Sequence, residues 1–365
     1  MINKNKVAVG LSGGVDSTAT AYLLKRAGYE VIGITMTVFD EYDEFGNVVE
    51  PSFIKDAKRI AKILNIPHYV VDYKDIFEKT VKKEFVDEYL KGRTPNPCVI
   101  CNRIIKYGKL IETAHSLGAY YIATGHYANI CYDQELKRYR IFRGIPERKD
   151  QAYNIYSLSQ EQLKHILLPL GKFTSKEEVR KIALKVDPLI AKKSDSTGIC
   201  FVPNEDYISY LSNESKDALK SGNFVDKAGE IIGKHKGIVR YTIGQKRGLG
   251  INFNPPMFVV NIDANKNQIL LGDDEDTYSI GLMAKNVNFT LFDELKEKIR
   301  VKAKVCQWGW FLPATISSLG NKKVKVLFDQ KERAVAPGQA VVFYLEDEVI
   351  GGGIIDLVIK DETIP

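Results

Sequence analysis

The sequence predicts an α/β fold with a doubly wound parallel sheet, followed by β-rich domains in the rest of the chain. Apolar runs of strand length alternate with amphipathic helical segments over the first third, as in a parallel sheet covered on both faces. Short strand-like runs broken by glycine begin after about residue 204, and alternation dominates from about residue 280. We therefore expect three domains, over residues 1–205, 206–278 and 279–365.

The spacing of apolar residues defines the elements of the first domain. Strands are expected over 7–11, 31–36, 69–72 and 120–124. A first helix follows the turn at residues 12–17 and stops at Gly28, and later helices are expected over 52–64 (with Ser52 as its cap), 74–90 and about 102–117. Ligands of such sheets bind beyond the carboxyl ends of the strands, where Ser12, Met36, Asp72 and Gly125–His126 fall.

The second half of the chain predicts two β-rich parts. Strand-like runs of the small central domain lie at 229–233, 238–241 and 258–262. Those of the C-terminal domain lie at 298–305, 323–328 and 340–345, with turns at Gly320-Asn321 and Pro337-Gly338. This spacing predicts a β-barrel of OB or elongation-factor type.

Composition narrows the class of protein. Of 365 residues, 44% are hydrophobic and 27% charged, as in globular proteins. No apolar run reaches membrane-spanning length and no signal peptide is evident, so we expect a cytoplasmic protein without a membrane partner. The net charge of +6 is weak evidence for a nucleic-acid partner. Five cysteines, an odd number, argue against a disulfide scaffold.

The turn Ser12-Gly13-Gly14-Val15-Asp16-Ser17 between a strand and a helix has the features of an anion site. Backbone N–H groups at a helix N-terminus favour an anion, and two glycines let a phosphate approach closely. The serine hydroxyls are further expected donors. A carboxylate beside an anion is repulsive unless a metal lies between them, so we expect Asp16 to hold Mg²⁺ with pyrophosphate. The Walker pattern is absent, and an ordinary capped turn is the alternative.

The positions of the cysteines suggest several possible roles for their thiols. Cys98 and Cys101 form a Cys-x-x-Cys pair, and we place Cys101 at or just before a helix start, where a thiolate is stabilised. Cys200 lies in a polar loop that contains glycine. Zinc binding with His126, a redox exchange between two thiols, and inert core thiols all stay open. We interpret Cys131 and Cys306, in strand-like runs, as structural.

The turn resembles the pyrophosphatase loop of the ATP pyrophosphatases, which form the adenine nucleotide alpha hydrolase-like fold and cleave ATP to AMP and pyrophosphate. A longer ordered set of motifs is similar to the bacterial tRNA-specific 2-thiouridylases over nearly the whole chain. The motifs are residues 12–17, 94–97 with 101–102, 123–128, 149–151, 196–201, 241–245 and 334–339. This resemblance implies a sulfurtransferase that puts sulfur on C2 of the wobble uridine of tRNA for Lys, Glu or Gln, bound at the anticodon stem-loop.

The resemblance assigns the reacting groups. The C2 oxygen of uracil is made a leaving group by AMP, with ATP and Mg²⁺ as cofactors. Cys200 carries a persulfide delivered by a cysteine desulfurase or a sulfur-relay protein. Cys101 is the nucleophile that frees the sulfur, which leaves a transient Cys101–Cys200 disulfide for an external reductant. The implied ATP contacts are Gly10, Leu11, Ser12, Gly13, Gly14, Val15, Asp16, Ser17, Met36 and Gly125; plain core packing is the alternative for Met36.

The resemblance also implies tRNA contacts in three regions. They are Asn96, Pro97, Cys98, His126, Lys149, Asp150, Gln151, Lys304, Val305 and Gln339. A structural histidine is the alternative for His126. Cys98 stands where some relatives have an acidic residue, which weakens an acid/base role there. The segment 304–307 replaces the family's Arg-Tyr-Arg-Gln, and the nearby Trp308 and Trp310 could supply stacking instead.

Two other functions are compatible with parts of the sequence. An ATP pyrophosphatase acting on a small molecule or a different RNA base would explain the turn, but not the cysteines or the β-rich second half. A metal-binding RNA-binding protein without catalysis would explain the thiols and the basic charge, but not Asp16 in the turn.

Overall fold

The computed structural model describes residues 2–195, 198–202 and 206–361. The described chain divides into two compact units. The first contains residues 2–80, 98–195 and 347–350, and the second contains residues 81–97, 198–202, 206–346 and 351–361. Helices and strands are numbered below in chain order.

A five-stranded sheet forms the centre of the first unit. Its order is β5-β2-β1-β6-β9, with every pairing parallel. The strands are β1 (Asn3–Gly10), β2 (Glu30–Thr37), β5 (His68–Asp72), β6 (Ala119–Ala123) and β9 (Ile166–Leu167). Val7, Ala8 and Val9 of the central strand are fully buried, which explains why an uninterrupted apolar run marks it. The predicted α/β class is confirmed.

Helices connect or follow these strands. They are α1 (Val15–Arg26), α2 (Ser52–Ile63), α3 (Lys74–Phe77), α5 (Pro97–Cys101), α6 (Leu110–Ser116), α7 (Gln160–Leu163), α8 (Lys176–Leu184) and α9 (Pro188–Ala191). The apolar face of α2 is buried as its spacing predicts. Its expected cap is wrong: Pro51 occupies the N-cap position and Ser52 is the first helical residue, without a capping hydrogen bond.

Two predicted helices are interrupted by π-helical turns. The segment 74–90 consists of α3, a π segment (Glu78–Lys82) and α4 (Lys83–Leu90). The helix expected from residue 102 begins five residues earlier, as α5, and passes through a second π segment (Asn102–Lys109) into α6. Proline suits the first turn of a helix, which explains the earlier start at Pro97. Such π insertions shift side chains around a helix without changing its apolar spacing enough to show in sequence.

Two hairpins in the first unit were not predicted. The longer one is formed by β7 (Ala128–Asp133) and β8 (Arg138–Arg143), and β8 also pairs with the first residues of β19 (Glu348–Ile359). The shorter one is formed by β3 (Glu41–Tyr42) and β4 (Val48–Val49).

The second unit contains α4, α10 (Tyr207–Glu214) and two β structures. The smaller is a four-stranded sheet of order β11-β10-β13-β12, from β10 (Gly222–Val225), β11 (Ile231–His235), β12 (Phe258–Asp263) and β13 (Gln268–Gly272). The strand expected over 238–241 is wrong, since residues Ile238–Arg240 form a 3₁₀ turn after Gly237 at φ 106°.

The larger β structure is a closed six-stranded barrel. Its order is β14-β17-β16-β15-β18-β19, and β19 closes it by pairing with β14. The strands other than β19 are β14 (Tyr278–Phe289), β15 (Ile299–Lys304), β16 (Leu312–Gly320), β17 (Lys323–Arg333) and β18 (Ala340–Leu345). The predicted barrel is confirmed. Across the described ranges, no helix is both long and apolar enough to cross a membrane.

Candidate active site

The predicted anion-binding turn follows the central strand of the first unit. Strand β1 ends at Gly10, and Leu11 is fixed to β2 because its N–H donates to Ile34 O at 2.8 Å. Thr35 Oγ1 donates to Leu11 O at 2.5 Å. These two bonds hold the turn at the carboxyl end of the sheet, as the sequence predicts.

Five consecutive backbone N–H groups of the turn are available to a ligand. Within the described parts of the chain, the N–H groups of residues 13–17 donate to no protein acceptor, and the first intrahelical bond runs from Thr18 N–H to Gly14 O. Helix α1 starts there and its dipole adds positive potential. The arrangement can bind a phosphate group.

The Ser17 hydroxyl orders this turn. Its Oγ accepts from Ser12 N–H at 3.2 Å and donates to Gly14 O at 3.1 Å. The expected role of this hydroxyl as a donor to a bound anion stays a prediction. Ser12 is exposed, with its Oγ 3.1 Å from that of Ser17.

Close backbone packing explains two of the glycines. A Cβ at Gly13, whose φ is +67°, would lie 2.6 Å from Phe53 O. A Cβ at Gly125 would lie 2.6 Å from Asp16 Cβ. Gly125 follows strand β6, so the second predicted ATP segment lies directly against the turn.

Asp16 is the most heavily engaged side chain of the turn. Lys176 Nζ lies 2.7 and 2.6 Å from its two carboxylate oxygens, and Tyr127 OH donates to it at 2.8 Å. Burial, together with the neighbouring carboxylate, raises the pKa of Tyr127, so the phenol remains a donor. A single carboxylate beside a phosphate site suits Mg²⁺ carried by a nucleotide, which keeps most of its water and phosphate ligands. The residues present therefore fit Mg-ATP.

Sequence reasoning missed the basic residues around the turn. Lys176 begins α8, and Lys193 Nζ lies 3.4 Å from Gly13 O and pairs with Asp56. Both lysines follow the turn by more than 150 positions, so no local spacing could associate them with it. Met36 is half-buried near the end of β2, and its role in binding adenine stays a prediction.

His126 is buried in a triangle of hydrogen bonds. Its Nδ1 lies 2.7 Å from Thr124 Oγ1 and 2.9 Å from Tyr107 OH, and the two hydroxyls are 2.6 Å apart. Both hydroxyl protons find acceptors inside the triangle only if Nδ1 accepts, so the proton of the neutral ring lies on Nε2. Burial, with a contribution from Lys106, lowers the pKa of His126 well below its ordinary value. His126 therefore offers a neutral Nε2–H donor.

The two thiols of the Cys-x-x-Cys pair occupy different environments. Cys98 is exposed in the first turn of α5, and Cys101 is buried, at the last residue of that helix. The expected position of Cys101 at a helix start is therefore wrong, because the helix begins at Pro97. The favourable helix N-terminus lies nearer Cys98. Of the other predicted residues here, Asn96 is half-buried and Pro97 is buried.

Cys200 is held at the surface by its neighbour. The thiol residue is exposed, whereas Phe201 is buried and packs edge-on against Phe85 and Tyr210, with ring centroids 5.3 and 5.4 Å away. The motif residues 196 and 197 lie outside the described residues. Cys131 is exposed in β7, and Cys306 lies in the turn after β15 instead of a strand.

The described residues provide no group of three or more His, Cys, Asp or Glu side chains arranged to hold a metal ion. The zinc alternative for Cys98, Cys101 and Cys200 with His126 therefore gains no support from the described residues.

The segment Lys149–Gln151 turns its side chains inward. Lys149 Nζ lies 2.6 Å from Asp195 Oδ2. The Asp150 carboxylate is buried and accepts from two backbone N–H groups, at 2.9 and 3.1 Å. Gln151 Oε1 accepts from the Tyr127 N–H at 3.1 Å, and the Gln151 N–H donates to Tyr127 O at 2.9 Å. These bonds shape a loop, and Asp150 has little surface for RNA.

Three sequence motifs meet at Thr94 in the second unit. Its N–H donates to Pro337 O at 2.8 Å, its hydroxyl lies 2.7 Å from that of Thr242, and Gln339 Nε2 donates to its carbonyl at 3.0 Å. Gly338 approaches so closely that a Cβ would lie 2.9 Å from Thr94 N. The predicted tRNA contact Gln339 thus holds the loop that leads to Cys98.

The last predicted contacts lie at the end of β15. The Lys304 ammonium stands 5.2 Å from the centroid of the Phe311 ring, and the Val305 side chain is buried. Trp308 and Trp310, in the loop that follows, are 73% and 83% exposed. An exposed pair of indoles beside a lysine has the chemistry of a base-stacking surface.

A parallel sheet whose first strand leads into a Ser-Gly-Gly-x-Asp-Ser anion site defines a nucleotide-binding protein of the pyrophosphatase-loop class. Three family models match the chain. They are described as a tRNA methyl transferase HUP domain over residues 5–204, a tRNA methyl transferase PRC-barrel domain over 209–273 and an aminomethyltransferase beta-barrel domain over 279–355.

Relatives that match over the full length identify the family. The chain is 49% identical to the tRNA-specific 2-thiouridylase MnmA 1 of Caldanaerobacter subterraneus subsp. tengcongensis, over 96% of this chain and 98% of the relative. It is also 49% identical to the tRNA-specific 2-thiouridylase MnmA of Acetivibrio thermocellus, over 97% of this chain and 100% of the relative. The chain belongs to the tRNA-specific 2-thiouridylase family. A solved 4-thiouridine synthetase–RNA complex with bound ATP is 17% identical, at a TM-score of 0.37 over 58% of this chain and 50% of that one, which is too weak to carry an argument.

Proposed function

We propose that this chain is a tRNA 2-thiouridine synthase that adenylylates the C2 oxygen of the wobble uridine of tRNA for Lys, Glu or Gln and then replaces that oxygen with sulfur. The observation that carries the first step is the row of N–H groups at residues 13–17 beside the Asp16 carboxylate. It provides an anion site and one hard ligand for Mg²⁺ carried by ATP. Release of pyrophosphate leaves AMP on the C2 oxygen.

The sulfur step uses the two thiols of the sequence motifs. A cysteine desulfurase or relay protein would load Cys200, which is exposed, as a persulfide. The terminal sulfur attacks C2 and AMP departs with the oxygen. The Cys101 thiolate then attacks the Cys200 sulfur, which breaks the S–S bond, frees the 2-thiouridine and forms a Cys101–Cys200 disulfide. An external dithiol returns two electrons and completes the cycle, which suits the reducing cytoplasm.

The methyltransferase wording of two family models describes a different reaction. Methyl transfer needs an already activated methyl donor and no loop that cleaves ATP. The anion site with Asp16 and the two motif cysteines have no task in that reaction, so their presence favours thiolation.

We expect 2-thiouridine at the wobble position when unmodified tRNA for Lys is incubated with the protein, ATP, Mg²⁺ and sulfide. The product is detected by chromatography and mass spectrometry of the tRNA nucleosides. Asp16→Ala should abolish the product. Asp75→Ala, which removes an exposed carboxylate from the short helix α3, is the matched control and should leave the product yield unchanged. Absence of thiolated uridine with the parent protein would refute the proposed function.

The thiol roles are tested by changing the sulfur donor. With sulfide, Cys200→Ser should retain activity, and with a persulfide-bearing donor protein it should lose it. Cys131→Ser removes another exposed thiol and should be active with both donors. Equal activity of Cys200→Ser and parent with the persulfide donor would exclude Cys200 as the carrier.

A further inference from the structure

Lys176 links the anion-binding turn to a second carboxylate. Its ammonium contacts both oxygens of Asp16, at 2.7 and 2.6 Å, and Asp195 Oδ1 at 3.2 Å. Only 10% of the side chain is exposed, so the cation is held in place by its partners. Arg180 also binds Asp195 Oδ1, at 2.7 Å, but makes no recorded contact with Asp16 among the described residues.

These contacts belong to a ring of polar groups that the backbone of Tyr127 and of residues 149–151 closes. From Lys176 the ring runs to Asp195, which Lys149 binds at 2.6 Å, and from Asp16 it runs to the Tyr127 hydroxyl at 2.8 Å. Tyr127 is tied through its backbone to Gln151, which lies two residues from Lys149. The ring therefore joins the nucleotide turn to the segment Lys149–Gln151.

We propose that Lys176 is a phosphate ligand of bound ATP, positioned by Asp195. The inference rests on the proposed function and adds a residue to its nucleotide site. The ammonium neutralises Asp16 beside five N–H groups that donate to no acceptor in the described parts of the protein. If Mg²⁺ bound the Asp16 oxygens, the ammonium would keep Asp195 as a partner and could donate to a phosphate oxygen. A lysine acts well as such a point charge on phosphate.

A shielding role for Lys176 would have the opposite consequence. If the lysine did no more than neutralise Asp16, it would compete with Mg²⁺ for the carboxylate, and its removal would tighten Mg-ATP binding. If it binds phosphate, removal weakens Mg-ATP binding and leaves the binding of a nucleoside without phosphates unchanged. The sign of the change separates the two roles.

The test is equilibrium dialysis of the full-length protein with labelled ATP plus Mg²⁺ and, separately, with labelled adenosine. Lys176→Met should raise the Kd for ATP about 10- to 100-fold, the usual worth of one hydrogen bond to a charged group. Its Kd for adenosine should equal that of the parent. Lys176→Arg should recover part of the ATP affinity, and Asp195→Asn should give a smaller loss restricted to ATP. Lys181→Met removes an exposed cation from the same helix and is the matched control.

Three results would overturn the assignment. Lys176→Met could bind ATP as tightly as the parent or more tightly, or it could lose equal affinity for ATP and adenosine. It could also lose affinity for tRNA alone, which would mean that Lys176 contacts a phosphate of the RNA. Failure of the parent protein to bind ATP would refute the proposed function instead. The two failures are thus distinguished by the parent protein alone.

Discussion

Gly125→Ala should disable the nucleotide turn, while Gly10→Ala should fold normally, although both glycines are predicted ATP contacts. A Cβ at Gly125 would lie 2.6 Å from Asp16 Cβ and 3.1 Å from the Asp16 carbonyl carbon. Carbon atoms in contact normally stand about 3.5–4.0 Å apart, so the start of α1 would have to move by roughly 1 Å. At Gly10 the nearest atoms would be 3.7 Å from the new Cβ, which is ordinary contact.

The magnitude follows from this overlap. Overpacking of this kind costs about 1–3 kcal/mol, which corresponds to a fall of roughly 2–12 °C in the unfolding midpoint for a domain of this size. A shift of about 1 Å in groups that position a substrate can cost about 100-fold in rate. Gly10→Ala should change the midpoint by less than about 2 °C, because it adds one methyl group without overlap.

Differential scanning calorimetry and ATP binding measure the two effects. The pair of variants is well matched, since each adds the same methyl group at the carboxyl end of adjacent paired strands. If Gly125→Ala keeps both the midpoint and the ATP affinity of the parent, the close approach of β6 to the turn is not a constraint and the packing argument is refuted.

Three further results are expected. The free energy of unfolding should decrease as the pH falls below about 6.5, because burial lowers the pKa of His126 and the unfolded chain takes up a proton that the folded chain does not. His126→Gln should reduce this dependence of the unfolding free energy on pH, measured by urea titration at several pH values. An equal dependence in parent and variant would contradict the buried neutral ring. Gln339→Ala should slow 2-thiouridine formation about 3- to 10-fold, the effect of one lost hydrogen bond to Thr94, without changing the Kd for ATP measured by dialysis. Tryptophan emission, which comes only from Trp308 and Trp310, should be quenched by tRNA if bases stack there, and an unchanged spectrum at saturating tRNA would exclude that surface.

The sequence predicts the sheet and the nucleotide turn because both depend on local patterns. A buried apolar run marks β1 and β2, and the glycine turn is contiguous in the chain. The error at Cys101 has a different origin: apolar periodicity predicts a helix from about residue 102, whereas the helix begins at Pro97 and continues through a π turn. The strand expected at residues 238–241 fails because Gly237, at φ 106°, turns the chain.

What the sequence could not supply is the pairing of distant side chains. Lys176 lies 160 residues from Asp16, and Gln339 lies 245 from Thr94. Both contacts depend on the folded path of the chain, for which no single-sequence spacing exists. The same is true of Tyr107, 19 residues before His126, whose hydroxyl completes the triangle of hydrogen bonds that decides the tautomer of the histidine.

These contacts change what a motif match can establish about a residue. The family resemblance associates three of these residues with tRNA, namely Asp150, Gln151 and Gln339. The side chain of each is nevertheless hydrogen-bonded to the protein's own backbone. A motif does not distinguish a residue that shapes a loop from a residue that contacts RNA, because replacement of either impairs the reaction. They differ in one measurable respect: loss of a direct contact weakens tRNA binding, whereas loss of a loop-shaping bond lowers the rate at saturating tRNA. For Gln339, whose amide holds the loop before Cys98, the geometry favours an effect on the rate.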